Sequence, residues 1–520
     1  MRSISRSELD CHSRTYGMLW VFSCLFVLAG VRLCLLTSKN TWFSDHSMPH
    51  TPPALASFFD RNGVLIAGSL QTYSIYANPQ KTPHKAEVVK KMTACFPDLD
   101  GNQLTKRLIS NKGFVWIKRH ITPAQKAAFL KMGLPGLFLQ KDVKRIYPQK
   151  NLFSHIVGIT DIDGRGLSGL EKTFSMHSQD VYTSLDSRVQ YAMKAGLAQA
   201  IQHFQAEAGN AILLDIKNGE ILGMVSLPDF DPNKPQQATP QQFFNRNTMG
   251  VYEFGSVFKI HNVAMALEHK STYLHTLYDA STPLRMGRFA IRDFRGKGGK
   301  LTLQEAFLRS SNIANAKIAL HAGIQQQKRF FEKMSFFQRL PLELPEVAHP
   351  MVPAVWREST LATASYGYGI SITPLHLVKS VASIVSGFHC VPTLRKVDTP
   401  LSRPRVIKPR TVQFMRTALR ESVHQGHAKK THVQGYALGA KTGTANLLSA
   451  TGQYRKGENL VSCVGAFPIH NPRYVLLVTL EHPKPSAETY GYTTAGWTAA
   501  PAFKNIFLSL TTILGFSPHA

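Results

Sequence analysis

The sequence predicts an α+β protein: a single N-terminal transmembrane helix, a mixed α/β domain, and a larger domain with an antiparallel sheet flanked by helices. Three observations predict this. An apolar run, YGMLWVFSCLFVLAGVRLCLL from Tyr16 to Leu36, has the roughly twenty residues a helix needs to cross a hydrocarbon core. Strand-like runs turn at two Asn-Gly corners, Asn62-Gly63 and Asn218-Gly219. In the second half, strand patterns stand at both ends with helical patterns between them, and no internal repeat is evident.

In the apolar run only Arg32 is charged, and near an end it can snorkel. Arg2, Arg6 and Arg14 precede it, so the positive-inside rule places residues 1–15 in the cytoplasm and everything after Leu36 outside. Leu28-Ala29-Gly30 starts like a lipoprotein cleavage site, but Val31 stands where the acylated Cys is needed. The run therefore reads as an uncleaved anchor at 16–36.

At 520 residues the chain exceeds what one core organises. Lys and Arg total 60 against 32 Asp and Glu, a net charge of +28 that favours phosphates, anionic lipid headgroups or acidic polymers. No RNA-recognition signature, zinc-finger spacing or basic zipper accompanies it, so nucleic acid is not an expected partner. Of the six cysteines, Cys11, Cys24 and Cys34 lie in or beside the apolar run. Cys95, Cys390 and Cys463 are too scattered for a disulfide framework or a CxxC metal site.

Beyond the anchor, Asp60-Arg61-Asn62-Gly63 leads into the strand VLIAG, and HKAEVVKKMTACF and TPAQKAAFLKMG read as helices. Near Gly209, NAILLDIKNGEILGMVS reads as a hairpin. YALGAKTGTAN, LVSCVGAFPI and RYVLLVTLEHP read as a meander, with Asn471-Pro472 turning between the last two. FKNIFLSLTTILGF, too short to span a membrane, reads as an amphipathic helix packed on the body.

Three short patterns carry chemistry. In EFGSVFKIHNVAMALEH, Ser256 and Lys259 stand one helical turn apart, so a hydroxyl meets an amine on one face. A lysine whose pKa is lowered by desolvation or a neighbouring cation can take the serine proton, and the helix start offers N–H groups to an oxyanion. Ser-x-x-Lys alone is expected by chance roughly twice in a chain this long. Ser310-Ser311-Asn312 follows the capping box Thr302 to Glu305; such an interhelical turn can present Ser310 as a proton relay and Asn312 as a holder of a substrate amide. Lys441-Thr442-Gly443 sits in a strand pattern, where glycine signals close approach of another backbone, here the Ser256 helix. Lys441 supplies the neighbouring cation, Thr442 and Thr444 suit a terminal carboxylate, and the Thr444 N–H would join that of Ser256 as an oxyanion donor. No residue pattern asks for a metal or cofactor, and His261 and His376 read as ordinary helix or loop residues.

In this order the three patterns resemble those of penicillin-binding proteins and class A β-lactamases. The wider sequence resembles class B penicillin-binding proteins, specifically the division-type, FtsI-like subgroup. Asn245 to Lys259 matches that family's NRxxxxxYEPGSxFK, with Phe254 in place of proline, which leaves the turn less rigid and changes no catalytic group. Ser365 to Val378 matches SYGYGxxxTPLQLA and favours a division over an elongation enzyme; GYALGAKTGTA and TTAGWTAAPAF match later motifs. The N-terminal half keeps DRNG at Asp60 to Gly63, Arg145-Ile146-Tyr147-Pro148 and Gly166 to Glu171.

The resemblance implies a pedestal (dimerisation-like) domain at 50–205 and a β-lactamase-like serine transpeptidase domain at 206–515. It implies that Ser256 attacks the penultimate D-alanine of a peptidoglycan stem peptide on a lipid-linked precursor, forms an acyl-enzyme and passes it to a second stem. It also implies β-lactam binding at the same serine, septal wall synthesis at the cytoplasmic membrane, and division-machinery partners including a glycosyltransferase. The alternatives are an elongation-type transpeptidase, a D,D-carboxypeptidase or a catalytically dispensable division scaffold. A class A β-lactamase is disfavoured because no Glu-x-x-Asn lies between Asn312 and Lys441. A β-lactam sensor is disfavoured by the single span.

Overall fold

The computed structural model describes residues 6–41, 55–287, 289–294, 298–399, 402–449 and 452–518. The first five residues of the expected cytoplasmic segment and 50–54 of the expected pedestal lie outside them. Chain contacts divide the protein into two units, Met1–Thr51 with Thr72–Asp142, and Pro52–Gln71 with Val143–Ala520.

In the smaller unit one helix, Arg6–Thr41, runs past both ends of the expected span. Tyr16–Leu35 is long and apolar enough to cross a membrane, and it is exposed along its length. The far half of strand Leu65–Ala77 pairs antiparallel with Val115–Ile121. Helices Lys85–Cys95, Gly101–Ile109 and Pro123–Lys131 close a small core of Ile75, Met92, Phe96, Leu108, Ile117 and Phe129. The last of these helices starts at a full capping box, in which Thr122 and Gln125 satisfy each other's orphan N–H groups.

The larger unit is organised by a five-stranded antiparallel sheet. Its strands are β1 (Ala208–Asp215), β2 (Ile221–Leu227), β3 (Gly439–Leu448), β4 (Tyr454–Phe467) and β5 (Tyr474–Glu481), in the order β3-β4-β5-β1-β2. The expected meander and hairpin are thus joined edge to edge, with Leu477 opposite Ile212. Helices cover both faces, so β5 is buried almost throughout: Val475 and Leu477 enter one core, Leu476, Val478 and Leu480 the other. Burial on both faces is why these strands read as continuous apolar runs without alternation.

One face carries helices α1 (Ser187–His203) and α7 (Ala499–Leu514), packed through Val189, Met193, Leu197, Phe503, Ile506 and Leu510. The C-terminal helix is thus the amphipathic body helix expected. The other face carries α2 (Lys259–Glu268), α3 (Leu303–Leu308), α4 (Asn312–Ala322), α5 (Pro374–Ser386) and α6 (Pro409–His424).

Two local expectations change. At both Asn-Gly corners only the glycine takes a positive φ, +85° at Gly63 and +81° at Gly219. The turns are held instead by the preceding aspartates: Asp60 Oδ1 accepts from the N–H groups of Asn62 and Val64, and Asp215 Oδ1 from that of Lys217. Between α2 and α3 the chain makes two small antiparallel ladders, Leu284–Met286 with Phe289–Ile291 and Tyr278–Asp279 with Lys300–Leu301. Strands of two or three residues are too short to print a period on the sequence.

Candidate active site

Ser256 lies in a 3-10 turn, Gly255–Phe258, that runs directly into α2. One turn on, the Lys259 Nζ stands 2.9 Å from the Ser256 Oγ. The α3–α4 turn meets it from the other side: Nζ is 2.5 Å from the Ser310 carbonyl oxygen, 3.1 Å from the Ser310 Oγ and 2.7 Å from the Asn312 Oδ1. Ser310 has φ +55°, a left-handed conformation costing a non-glycine residue on the order of 1–3 kcal/mol, and both its carbonyl and its hydroxyl face the amine. From β3, Lys441 Nζ lies 3.2 Å from the same Ser310 Oγ. Two amines and two serine hydroxyls thus form a connected chain, Ser256–Lys259–Ser310–Lys441.

Lys259 and Lys441 are fully buried, at 0% and 1% exposure. Burial holds the Lys259 amine well below the usual lysine range, and the neighbouring Lys441 charge lowers it further. Burial also lowers Lys441, to about 8. The shift favours Lys259 as a proton acceptor, and Lys441, at about 8, keeps most of its charge at neutral pH.

Three glycines let the backbones close around Ser256. A Cβ on Gly443 would sit 2.3 Å from the Phe254 carbonyl oxygen and 2.8 Å from a Val257 methyl, so β3 and the serine turn touch as the strand glycine suggested. Gly255, at φ +52°, meets the Thr444 carbonyl in the same way, and Gly367, at φ +84°, meets the Gly255 carbonyl. The Gly255 N–H donates to the Gly367 carbonyl at 3.3 Å. The turn is held by this packing and by the buried Phe254 ring, 6.2 Å from Tyr252, and not by a proline. Phe254 is itself buried, and its carbonyl lies where β3 and the serine turn meet.

Five sequence-derived candidates, Ser256, Lys259, Ser310, Asn312 and Lys441, are joined by these contacts, and Gly443 and Thr444 meet the serine turn through their backbones. Thr442 is buried, and the Thr444 Oγ1 accepts from the Ala495 N–H at 3.0 Å. His261 and His376 are core residues, 2.8 Å from the Ser380 Oγ and 3.0 Å from the Gln338 carbonyl. Burial pushes them down to about 3 and about 4. Cys24, Cys95, Cys390 and Cys463 are free thiols.

Sequence reasoning missed Asp293, from the excursion between α2 and α3. Its Oδ1 accepts from the N–H groups of Asn312 (2.6 Å) and Ile313 (3.0 Å), and its Oδ2 from the Ser311 hydroxyl (2.7 Å). It therefore anchors the turn that holds Lys259, and its charge raises the Lys259 pKa against the effect of Lys441. A lone aspartate eighteen residues upstream carries no spacing signal.

A serine at a helix start, a buried amine of lowered pKa beside it, a second lysine and an edge strand in contact make an arrangement suited to serine acyl transfer. The penicillin-binding protein transpeptidase domain matches residues 209–508 and the penicillin-binding protein dimerisation domain residues 51–183, so the chain belongs to the penicillin-binding protein transpeptidase family.

A probable peptidoglycan D,D-transpeptidase FtsI of Caulobacter vibrioides is 32% identical, covering 99% of this chain and 90% of the relative. The peptidoglycan D,D-transpeptidase FtsI of Escherichia coli K12 is 27% identical over 89% of this chain and 84% of the relative. A crystal structure of a peptidoglycan synthetase from Bifidobacterium adolescentis shares the fold, with TM-score 0.70 and 20% identity over 90% of this chain and 97% of that one.

Proposed function

We propose that this protein is a membrane-anchored D,D-transpeptidase that cross-links peptidoglycan stem peptides in septal wall synthesis through an acyl-enzyme on Ser256. The observation that carries the reading is the position of the buried Lys259 amine, 2.9 Å from the Ser256 Oγ, with Lys441 one hydroxyl away.

Lys259 takes the Ser256 proton as the oxygen attacks the penultimate D-alanine carbonyl of a stem. The N–H groups of Ser256 and Thr444 receive the oxyanion. The proton passes through Ser310, between the two amines, to the departing terminal D-alanine, whose carboxylate rests against Lys441, Thr442 and Thr444. Asn312 holds both Lys259 and the substrate amide, and Gly443 keeps the strand close. The amine of a second stem then attacks the ester, with Lys259 again the base. A β-lactam presents a similar amide and carboxylate and stops at the ester.

In this reading residues 1–15 are cytoplasmic, 16–36 anchor the chain, 50–205 form the pedestal and 206–515 the transpeptidase domain outside the membrane. A lipid-linked precursor supplies the stems, and a glycosyltransferase of the division machinery is the expected partner. The test is full-length protein in micelles with a polymerising glycosyltransferase and pentapeptide precursor. Released D-alanine and cross-linked product are expected, both lost in S256A. Released D-alanine without cross-links identifies a carboxypeptidase, and normal division in cells carrying only S256A identifies a scaffold.

A further inference from the structure

Three residues before the nucleophile, Glu253 is buried at 6% exposure, and its carboxylate bridges two other segments of the chain. Its Oε1 accepts from the Gly369 N–H at 2.6 Å and its Oε2 from the Tyr454 hydroxyl at 3.0 Å. Tyr454 opens β4, and Gly369 closes the loop whose Gly367 is seated on Gly255. The rings of Tyr366, Tyr368 and Tyr454 form a chain beside the carboxylate, with centroids 5.7 and 6.0 Å apart. No Lys, Arg or His among the described residues is paired with it.

A buried carboxylate without a cation is costly. Burial raises the Glu253 pKa above the usual carboxylate range against the pull of its two donors. An acid whose folded pKa is raised stabilises the fold below its unfolded pKa and loses that contribution as pH rises through the folded value. Once the group ionises, its charge therefore works against folding. A neutral isostere of the same shape would remove that cost, and groups kept at such a cost cluster at functional sites.

We propose that Glu253 is a positioning residue for acyl transfer: its ionised carboxylate latches the 366–369 loop and Tyr454 onto the segment that carries Ser256, holding Gly367 against Gly255 and the serine turn against β3. Charge-assisted hydrogen bonds are roughly twice as strong as neutral ones, so the charge, and not merely the shape, holds the loop. The proposal rests on acylation at Ser256.

The experiment compares E253Q, Y454F and the unaltered full-length protein by thermal unfolding and by the second-order rate of acylation with a fluorescent penicillin at neutral pH. E253Q is expected to unfold at the same or a higher temperature while acylating roughly 3- to 10-fold more slowly. Y454F, which deletes one donor to the carboxylate, is expected to slow acylation less. A slower rate together with lower stability in E253Q makes the residue structural only and overturns the proposal. An unchanged rate in E253Q overturns it as well. Absence of any adduct in the unaltered protein would instead refute the Ser256 reading on which it rests.

Discussion

At the scale of residues, the two lysines share one buried network in which both amines have lowered pKa values, and each makes its own prediction. K259A removes the proton acceptor, and its penicillin acylation rate, measured by stopped-flow fluorescence, is expected to fall about 10²–10⁴-fold. The rate should rise with pH as Lys259 loses its proton and fall again near pH 8, where Lys441 loses its own. D293N keeps an acceptor oxygen for the Asn312 N–H but removes the charge that raises the Lys259 pKa. The acidic limb of that pH profile should therefore move to lower pH; an unmoved limb would show that Asp293 acts by geometry alone.

The serine, the lysines and Asn312 were legible in the sequence because each sits at a fixed short spacing inside a recognisable pattern. Asp293 was not, and Glu253 was marked only as the Glu of the matched family pattern, with no partner assigned. Their partners lie in distant segments, and nothing local marks which turn or loop a carboxylate will hold.

At the scale of elements, the site depends on how closely three backbones approach. G443A places a methyl 2.3 Å from the Phe254 carbonyl, which must push β3 from the serine turn. Overpacking of this kind costs about 1–3 kcal/mol, and acylation should fall further than the change in melting temperature alone accounts for. The strand glycine announced this contact, since glycine weakens a sheet unless something must come near.

The strands and long helices were equally readable from apolar runs and capping boxes, Thr302 with Glu305 among them. The ladders between α2 and α3 were not, being two or three residues long. At the hairpin corners the sequence named the right residues for the wrong reason: the glycines turn the chain, but Asp60 and Asp215 hold the turns.

At the scale of the whole molecule, one helix is long and apolar enough to cross a membrane, and the rest of the described chain holds three buried apolar cores. Removing residues 1–41 is expected to move the protein from the membrane fraction to the soluble fraction and to leave its acylation rate within about twofold. A slower truncated enzyme would mean that the anchor does more than tether. The large basic excess finds no role in the acyl-transfer site, where only two lysines act, and the site's chemistry did not require it.

The central claim is that Ser256 becomes an ester. Full-length protein treated with penicillin, weighed intact and digested with trypsin, tests it most directly. The account predicts one added penicillin per chain, carried by the peptide Asn247–Lys259 and absent in S256A. A folded protein that takes no adduct, or an adduct mapped to any other peptide, would contradict it.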